Sequence, residues 1–97
     1  MPIEVIDNAM ESRFEVLVDG RVAGFAEYRL APAKIVFTHT EVLPEFEGQG
    51  LASTLVKQAL EMSGDTGLRV VPLCPYVASY IKRHPEYQGL VDESVGG

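Results

Sequence analysis

Through the first half of the chain, apolar and polar residues alternate with a strand-like period of two. Ile3 to Ile6 is a short alternation broken at Asp7-Asn8, and Arg13 to Val18 sets Phe14, Leu17 and Val18 among charges. Asp19-Gly20 follows, a pair that tolerates positive φ at both positions and so predicts a type I′ hairpin. Val22 to Leu30 sets Phe25, Glu27 and Arg29 against Ala26, Tyr28 and Leu30. Ala31-Pro32-Ala33 interrupts, and Lys34 to Leu43 resumes with Ile35, Val36, Phe37 and Val42. Consecutive strands joined by short turns predict an antiparallel meander.

The period then changes. From Gly50 to Ser63, Leu51, Ala52, Leu55, Val56, Ala59, Leu60 and Met62 recur at helical spacing, with Lys57, Gln58 and Glu61 outside the stripe. Gly64 and Gly67 are expected to end this helix. Leu68 to Val71 reads as a short buried strand. Pro75 to about Arg83 reads as a second helix, with Cys74 at its cap, Pro75 at the first helical position and His84-Pro85 as the stop. The order is ββββ-α-β-α, and its βαβ portion requires a right-handed parallel crossover. The expected class is α/β (α+β), with a mixed, largely antiparallel sheet.

Composition narrows the class more than the function. With 97 residues the chain supports one domain, expected to have its core over about 3–90 and a flexible tail over 91–97. A hydrophobic content of 46% with 23% charged residues excludes collagen-like, low-complexity and disordered chains. Asp+Glu of 14 against Lys+Arg of 8 gives a formal charge of −6, a poor match to a phosphate backbone, so no nucleic-acid partner is expected. One cysteine, Cys74, excludes an internal disulfide framework and a thiolate zinc cage, and no metal is expected. No apolar run is long enough to span a bilayer, and the start lacks a signal-peptide pattern. The expectation is a cytoplasmic monomer or weak dimer without a membrane partner.

The chemistry concentrates at Glu45-Phe46-Glu47-Gly48-Gln49-Gly50-Leu51-Ala52, between a strand and the best helix. Glycines there allow close backbone approach, and the free amides of a first helical turn attract an anion such as a pyrophosphate. A bare Gly-x-Gly also serves as a plain strand-to-helix turn. It is neither a dehydrogenase dinucleotide fingerprint nor a P-loop.

Val42-x-Pro44 followed by Glu-Gly-x-Gly-Leu-Ala at a helix start resembles the acetyl-coenzyme A motif of the GNAT acyltransferase superfamily. His39-Thr40-Glu41-Val42, Val71 to Ala78 and Tyr80 to Tyr87 extend the likeness to the very short Yjdj-type N-acetyltransferase branch, over roughly Arg13 to Tyr87. Glu45 and Glu47 stand where the superfamily favours neutral or basic residues, so each is expected to oppose a nearby pyrophosphate. The pair of helices that longer members insert after the first strand is missing. The resemblance implies a reduced GNAT fold and acetyl-coenzyme A (acetyl-CoA) as acyl donor. It also implies that the backbone of Glu41, Val42 and Leu43 pairs with the pantetheine arm. The Val42 amide is then a donor to the thioester carbonyl, and amides of Glu47, Gly48, Gln49, Gly50, Leu51 and Ala52 hold the pyrophosphate.

Four side chains are candidate catalysts, each with a plainer alternative. Cys74, at a helix N-terminus that favours the thiolate, is placed by the implied fold beside the acyl group. There it would accept acetyl or protonate the departing thiolate; otherwise it is a small buried apolar residue. His39 and Glu41 share strand parity with each other and, in a regular strand, with Ile35 and Phe37. Either could be the base for an acceptor amine, and histidine needs less tuning. Tyr80 falls where the superfamily often has a tyrosine beside the coenzyme sulfur, although its spacing from Tyr76 also suits simple helix packing. Lys82, Arg83 and His84 gather at a helix C-terminus, where cations offset the dipole. The resulting expectation is an acetyl-CoA-dependent N-acetyltransferase acting on an unidentified primary amine. The alternative is a non-catalytic coenzyme A-binding sensor or protein-interaction module.

Overall fold

The fold is described from a computed structural model, over residues 2–92. Five strands, β1 (Ile3–Asn8), β2 (Arg13–Val18), β3 (Arg21–Ala31), β4 (Lys34–Val42) and β5 (Arg69–Pro72), form one sheet in sequence order. The first three pairings are antiparallel and β4–β5 is parallel, with helix α1 (Leu51–Asp65) as the crossover. Helix α2 (Pro75–Arg83) and a 3-10 turn over Pro85–Leu90 follow. This is the expected ββββ-α-β-α order. The β2–β3 hairpin turns at Asp19 and Gly20, with φ of 51° and 81°, as a type I′ turn requires.

Helix α1 lays Leu51, Leu55, Val56, Ala59 and Leu60 on the sheet face that carries Phe14, Val16, Ala26, Ile35 and Phe37. Val77, Tyr80 and Ile81 of α2 join the same core. The opposite face of β2–β4, with Leu17, Phe25, Glu27, Arg29, His39 and Glu41, is half-buried or exposed. Glu15 is the buried exception there; its carboxylate accepts from Arg13 Nε at 2.8 Å and Asn8 Nδ2 at 3.0 Å.

Two local expectations need correction. Gly64 lies inside α1, and Gly67, with φ of 78°, follows its end. Glycine is tolerated at 64 because a Cβ would come within 3.0 Å of Leu90 Cδ2, so the Pro85–Leu90 turn packs in the place of a side chain. Parity along β4 also breaks. Tyr28 faces Phe37 but Glu27 faces His39, which leaves Thr38 as an extra residue in a β-bulge. His39 and Glu41 therefore leave the face of Ile35 and Phe37 and turn to the open side. Of the expected tail over 91–97, Val91 bridges Val70 in parallel, and Asp92 takes a 2.9 Å ion pair from Lys34. Residues 93–97 lie outside the described residues.

Candidate active site

The bulge and the end of the β4–β5 ladder coincide. The parallel pairing stops at Phe37↔Pro72, and Pro72 has no amide to extend it. A last tether, Cys74 N–H to Phe37 O at 2.9 Å, precedes the turn into α2. Beyond it β4 continues to Val42 against β3 alone, so its other edge is open. Leu43 N–H donates to Ala23 O at 2.8 Å, toward β3. Antiparallel alternation turns the amides of Thr40 and Val42 the other way, to the open edge. The result is a break in the backbone ladder, a slot between the β4 edge and the start of α2 that Cys74 Sγ borders at 3.3 Å from Thr40 Oγ1.

At the base of β4, a 3-10 turn over Pro44–Phe46 leads through Glu47 into the glycine loop. Gly48 and Gly50 have φ of 85° and 73°. A Cβ at either would meet nothing within 4 Å, so backbone conformation rather than space requires glycine. Gly50 caps α1, Thr54 N–H closes the first intrahelical bond to its carbonyl at 3.3 Å, and the first turn carries no acid. The amides of Leu51, Ala52 and Ser53 are thus the free donors of a helix start. Glu45 does not act as the expected bare charge. Arg21 Nη2 pairs with it at 3.0 Å, and the same guanidinium lies 5.4 Å from the centroid of Phe46. Glu47 is exposed.

The candidate side chains fall into two groups. On the helix-covered side, Cys74 is only 3% exposed, and its Sγ lies 3.3 Å from Thr40 Oγ1. Tyr80 is buried on α2, stacked on His84 with centroids 4.2 Å apart. Burial pushes its phenol pKa up, a Ser53 hydrogen bond pulls it down, and Glu86, Glu61 and Tyr76 add small upward contributions. Ser53 belongs to the first turn of α1, so Tyr80 points toward the end of the helix that carries the glycine loop. On the open side, His39 Nε2 and Glu41 Oε1 lie 3.1 Å apart, both about half exposed, with the Phe25 ring beside His39. Lys82 and Arg83 do close the last turn of α2, and Arg83 lies 6.0 Å from the Tyr80 centroid.

Thr40, Ser53 and Arg21 were not singled out in the sequence. None of the three follows from local spacing: Thr40 turns to Cys74 only because of the bulge at Thr38, and the other two depend on tertiary packing. Two cavities, of about 230 and 310 Å³, lie along the later turns of α1. Neither includes a residue of the slot or the glycine loop. Among the described residues no cluster of three metal-ligating side chains occurs, and no helix is long and apolar enough to cross a membrane.

Residues 13–90 match the family model described as GCN5-related N-acetyl-transferase. Protein NATD1 of Gallus gallus and of Mus musculus are each 30% identical over 87 residues, covering 87% of this chain and 78% of the relative. The solution structure of a GCN5-like candidate N-acetyltransferase from Staphylococcus aureus superposes with a TM-score of 0.69 at 22% identity, covering 92% of this chain and 87% of that one. A ribosomal-protein-alanine N-acetyltransferase from Brucella melitensis gives 0.53 at 18% identity, covering 82% of this chain and 61% of that one.

Proposed function

The chain belongs to the GCN5-related N-acetyltransferase family, and we propose that it transfers an acetyl group from acetyl-coenzyme A to a primary amine. The observation that carries this reading is the slot. An open β4 edge with outward amides runs down to a helix start with free amides, and both are features a pantetheine diphosphate needs. Of its two acids, Glu45 is paired with Arg21 at the surface, Glu47 is exposed beside the loop, and none stands in the first turn of the helix.

The coenzyme supplies an activated acetyl thioester, and the chain's residues do the rest. Amides from Gly48 to Ala52 hold the pyrophosphate, the expected Glu47 N–H being taken by Pro44 O at 3.3 Å, and the β4 edge from Glu41 to Leu43 orients the pantetheine. The Val42 amide donates to the thioester carbonyl as negative charge develops there, an oxyanion role for a main-chain N–H. From the open side, His39 takes the proton of the acceptor amine. With its Nε2–H donated to Glu41, Nδ1 is bare and basic, and Glu41 orients the ring as a carboxylate does in a catalytic triad. From the covered side, Tyr80, kept neutral by its raised pKa, is a hydrogen-bond donor for the departing thiolate. Transfer is direct. Cys74 forms a wall of the slot, since a buried thiol in contact with Thr40 is not free to attack.

The test combines two measurements. Thiol release from acetyl-coenzyme A, followed over a panel of amines, should give amine-dependent turnover. Thermal stability with coenzyme A should rise, by about 2.7 kcal/mol at a hundred times the Kd. Stabilisation without turnover would identify a binding module instead, and neither effect would refute the reading.

A further inference from the structure

The open face of the sheet carries an unbalanced charge beside the slot. Glu27 stands directly across from His39, and Phe25 across from Glu41, so these four side chains form one patch on β3 and β4. Glu27 is half-buried and has no ion-pair partner among the described residues. Its other cross-strand neighbour, Arg13, is turned elsewhere: Nε binds Glu15 at 2.8 Å, and the guanidinium lies 4.6 Å from the Phe25 centroid. With Arg13 and Glu15 cancelling, Glu27 and Glu41 leave the patch with two net negative charges when His39 is neutral. Their Cβ atoms occupy diagonal cross-strand positions, which are about 7–8 Å apart in an antiparallel pair.

Resting on the acetyl-transfer reading, we propose that Glu27 selects acceptors that carry a second cationic centre, small diamines whose far ammonium it binds while the near amine meets His39. Glu41 is held by His39 at 3.1 Å, so Glu27, directly across from that histidine, is the carboxylate left for a far ammonium on a short aliphatic chain. The patch is bounded on the same face by Arg13, by Arg29, and by Lys34 held on Asp92. Arg13 and Lys34 are paired with Glu15 and Asp92, so Arg29 is the cation that disfavours a long basic peptide across the sheet and favours a compact dication. The Phe25 ring, in the next cross-strand row beside Arg13 and His39, gives the methylene chain an apolar surface.

The experiment compares diaminobutane with butylamine on the wild type and on Glu27→Gln. The substitution keeps the Glu27 carbonyl that accepts from Thr38 Oγ1, so the bulge stays intact. kcat/KM should favour diaminobutane by about tenfold in the wild type, and Glu27→Gln should abolish that preference with butylamine turnover unchanged. Binding is read independently of turnover, from backbone amide shifts as each amine is titrated into the coenzyme A-loaded protein. Shifts at Phe25, Glu27 and His39 should saturate at lower concentration with diaminobutane, and this difference should vanish in Glu27→Gln. Preferential binding without acetylation of either amine would uphold the role of Glu27 and refute acetyl transfer. Equal behaviour of the two amines in the wild type, or a preference that survives Glu27→Gln, would overturn the inference.

Discussion

Beyond Thr38, strand β4 has two unlike sides. Thr40 faces the helices and is covered by Cys74, in a region where Val77, Tyr80 and Leu55 are all buried. One residue to either side, His39 and Glu41 face outward, about half exposed and bonded to each other. Three successive residues thus serve a packed wall and an accessible pair, and the bulge at Thr38 sets which side each takes. Had β4 stayed regular, His39 and Glu41 would lie among Ile35 and Phe37, where a histidine-carboxylate pair would have to lose its water. The slot opens where the strand changes face, so a thioester there is reachable from both sides. Substitutions on the open side should alter rate and leave stability alone; those on the covered side, Tyr80 as thiolate donor excepted, should act on stability or on coenzyme binding.

The largest expected effect is on the open side. His39→Gln should lower kcat/KM by about 10², the scale of losing a general base, while the thermal midpoint holds. Glu41→Gln should cost less, about tenfold, through lost orientation of the ring. An unchanged rate in His39→Gln would move the base elsewhere.

Gly50→Val comes next. A β-branched residue at φ of 73° costs about 1–2 kcal/mol and shifts the helix start, so isothermal titration should find coenzyme A affinity down by tenfold or more. Unchanged affinity in the folded variant would remove the glycine loop from the site.

Cys74→Ala should destabilise by about 1 kcal/mol in urea unfolding, through lost packing against Thr40, and keep turnover within about threefold. The folded wild type should alkylate slowly at Cys74, as a buried thiol does. Loss of all turnover in Cys74→Ala would reinstate an acyl-cysteine route.

The covered side should also be the alkali-sensitive one. Burial, then the 2.6 Å hydrogen bond and the charge of Asp7, push Tyr28 up to about 12. An unfolded tyrosine titrates near about 10, so the stabilisation is whole below that pH and is lost as pH rises through about 12. Urea midpoints should fall over that range, and less steeply in Tyr28→Phe.

The frame of this arrangement was legible in the sequence. Asp19-Gly20, Pro32, the seven apolar positions of α1 and Pro75 mark strands, turns and both helices, because each acts through local backbone chemistry. The loop from Glu47 to Ala52 was legible for the same reason. What escaped depends on partners distant in sequence. Nothing at Thr38 announces a bulge; it follows from the registers of β3 on both sides. Gly64 reads as a helix stop until Leu90 is seen filling the space of its missing side chain. Glu45 reads as a charge set against phosphate until Arg21, on β3, neutralises it. The split of His39 and Glu41 from Cys74 and Tyr80 is the consequence that matters most for chemistry, and it rests on that single extra residue.

The slot itself is tested most directly by a backbone amide titration with coenzyme A. The account predicts the largest shifts at Thr40, Val42 and from Gly48 to Ala52, with smaller ones at His39, Glu41 and Tyr80. Shifts confined to Tyr28, Met62 and Thr66, the walls of the 230 Å³ cavity, or no shifts at saturating coenzyme, would contradict it.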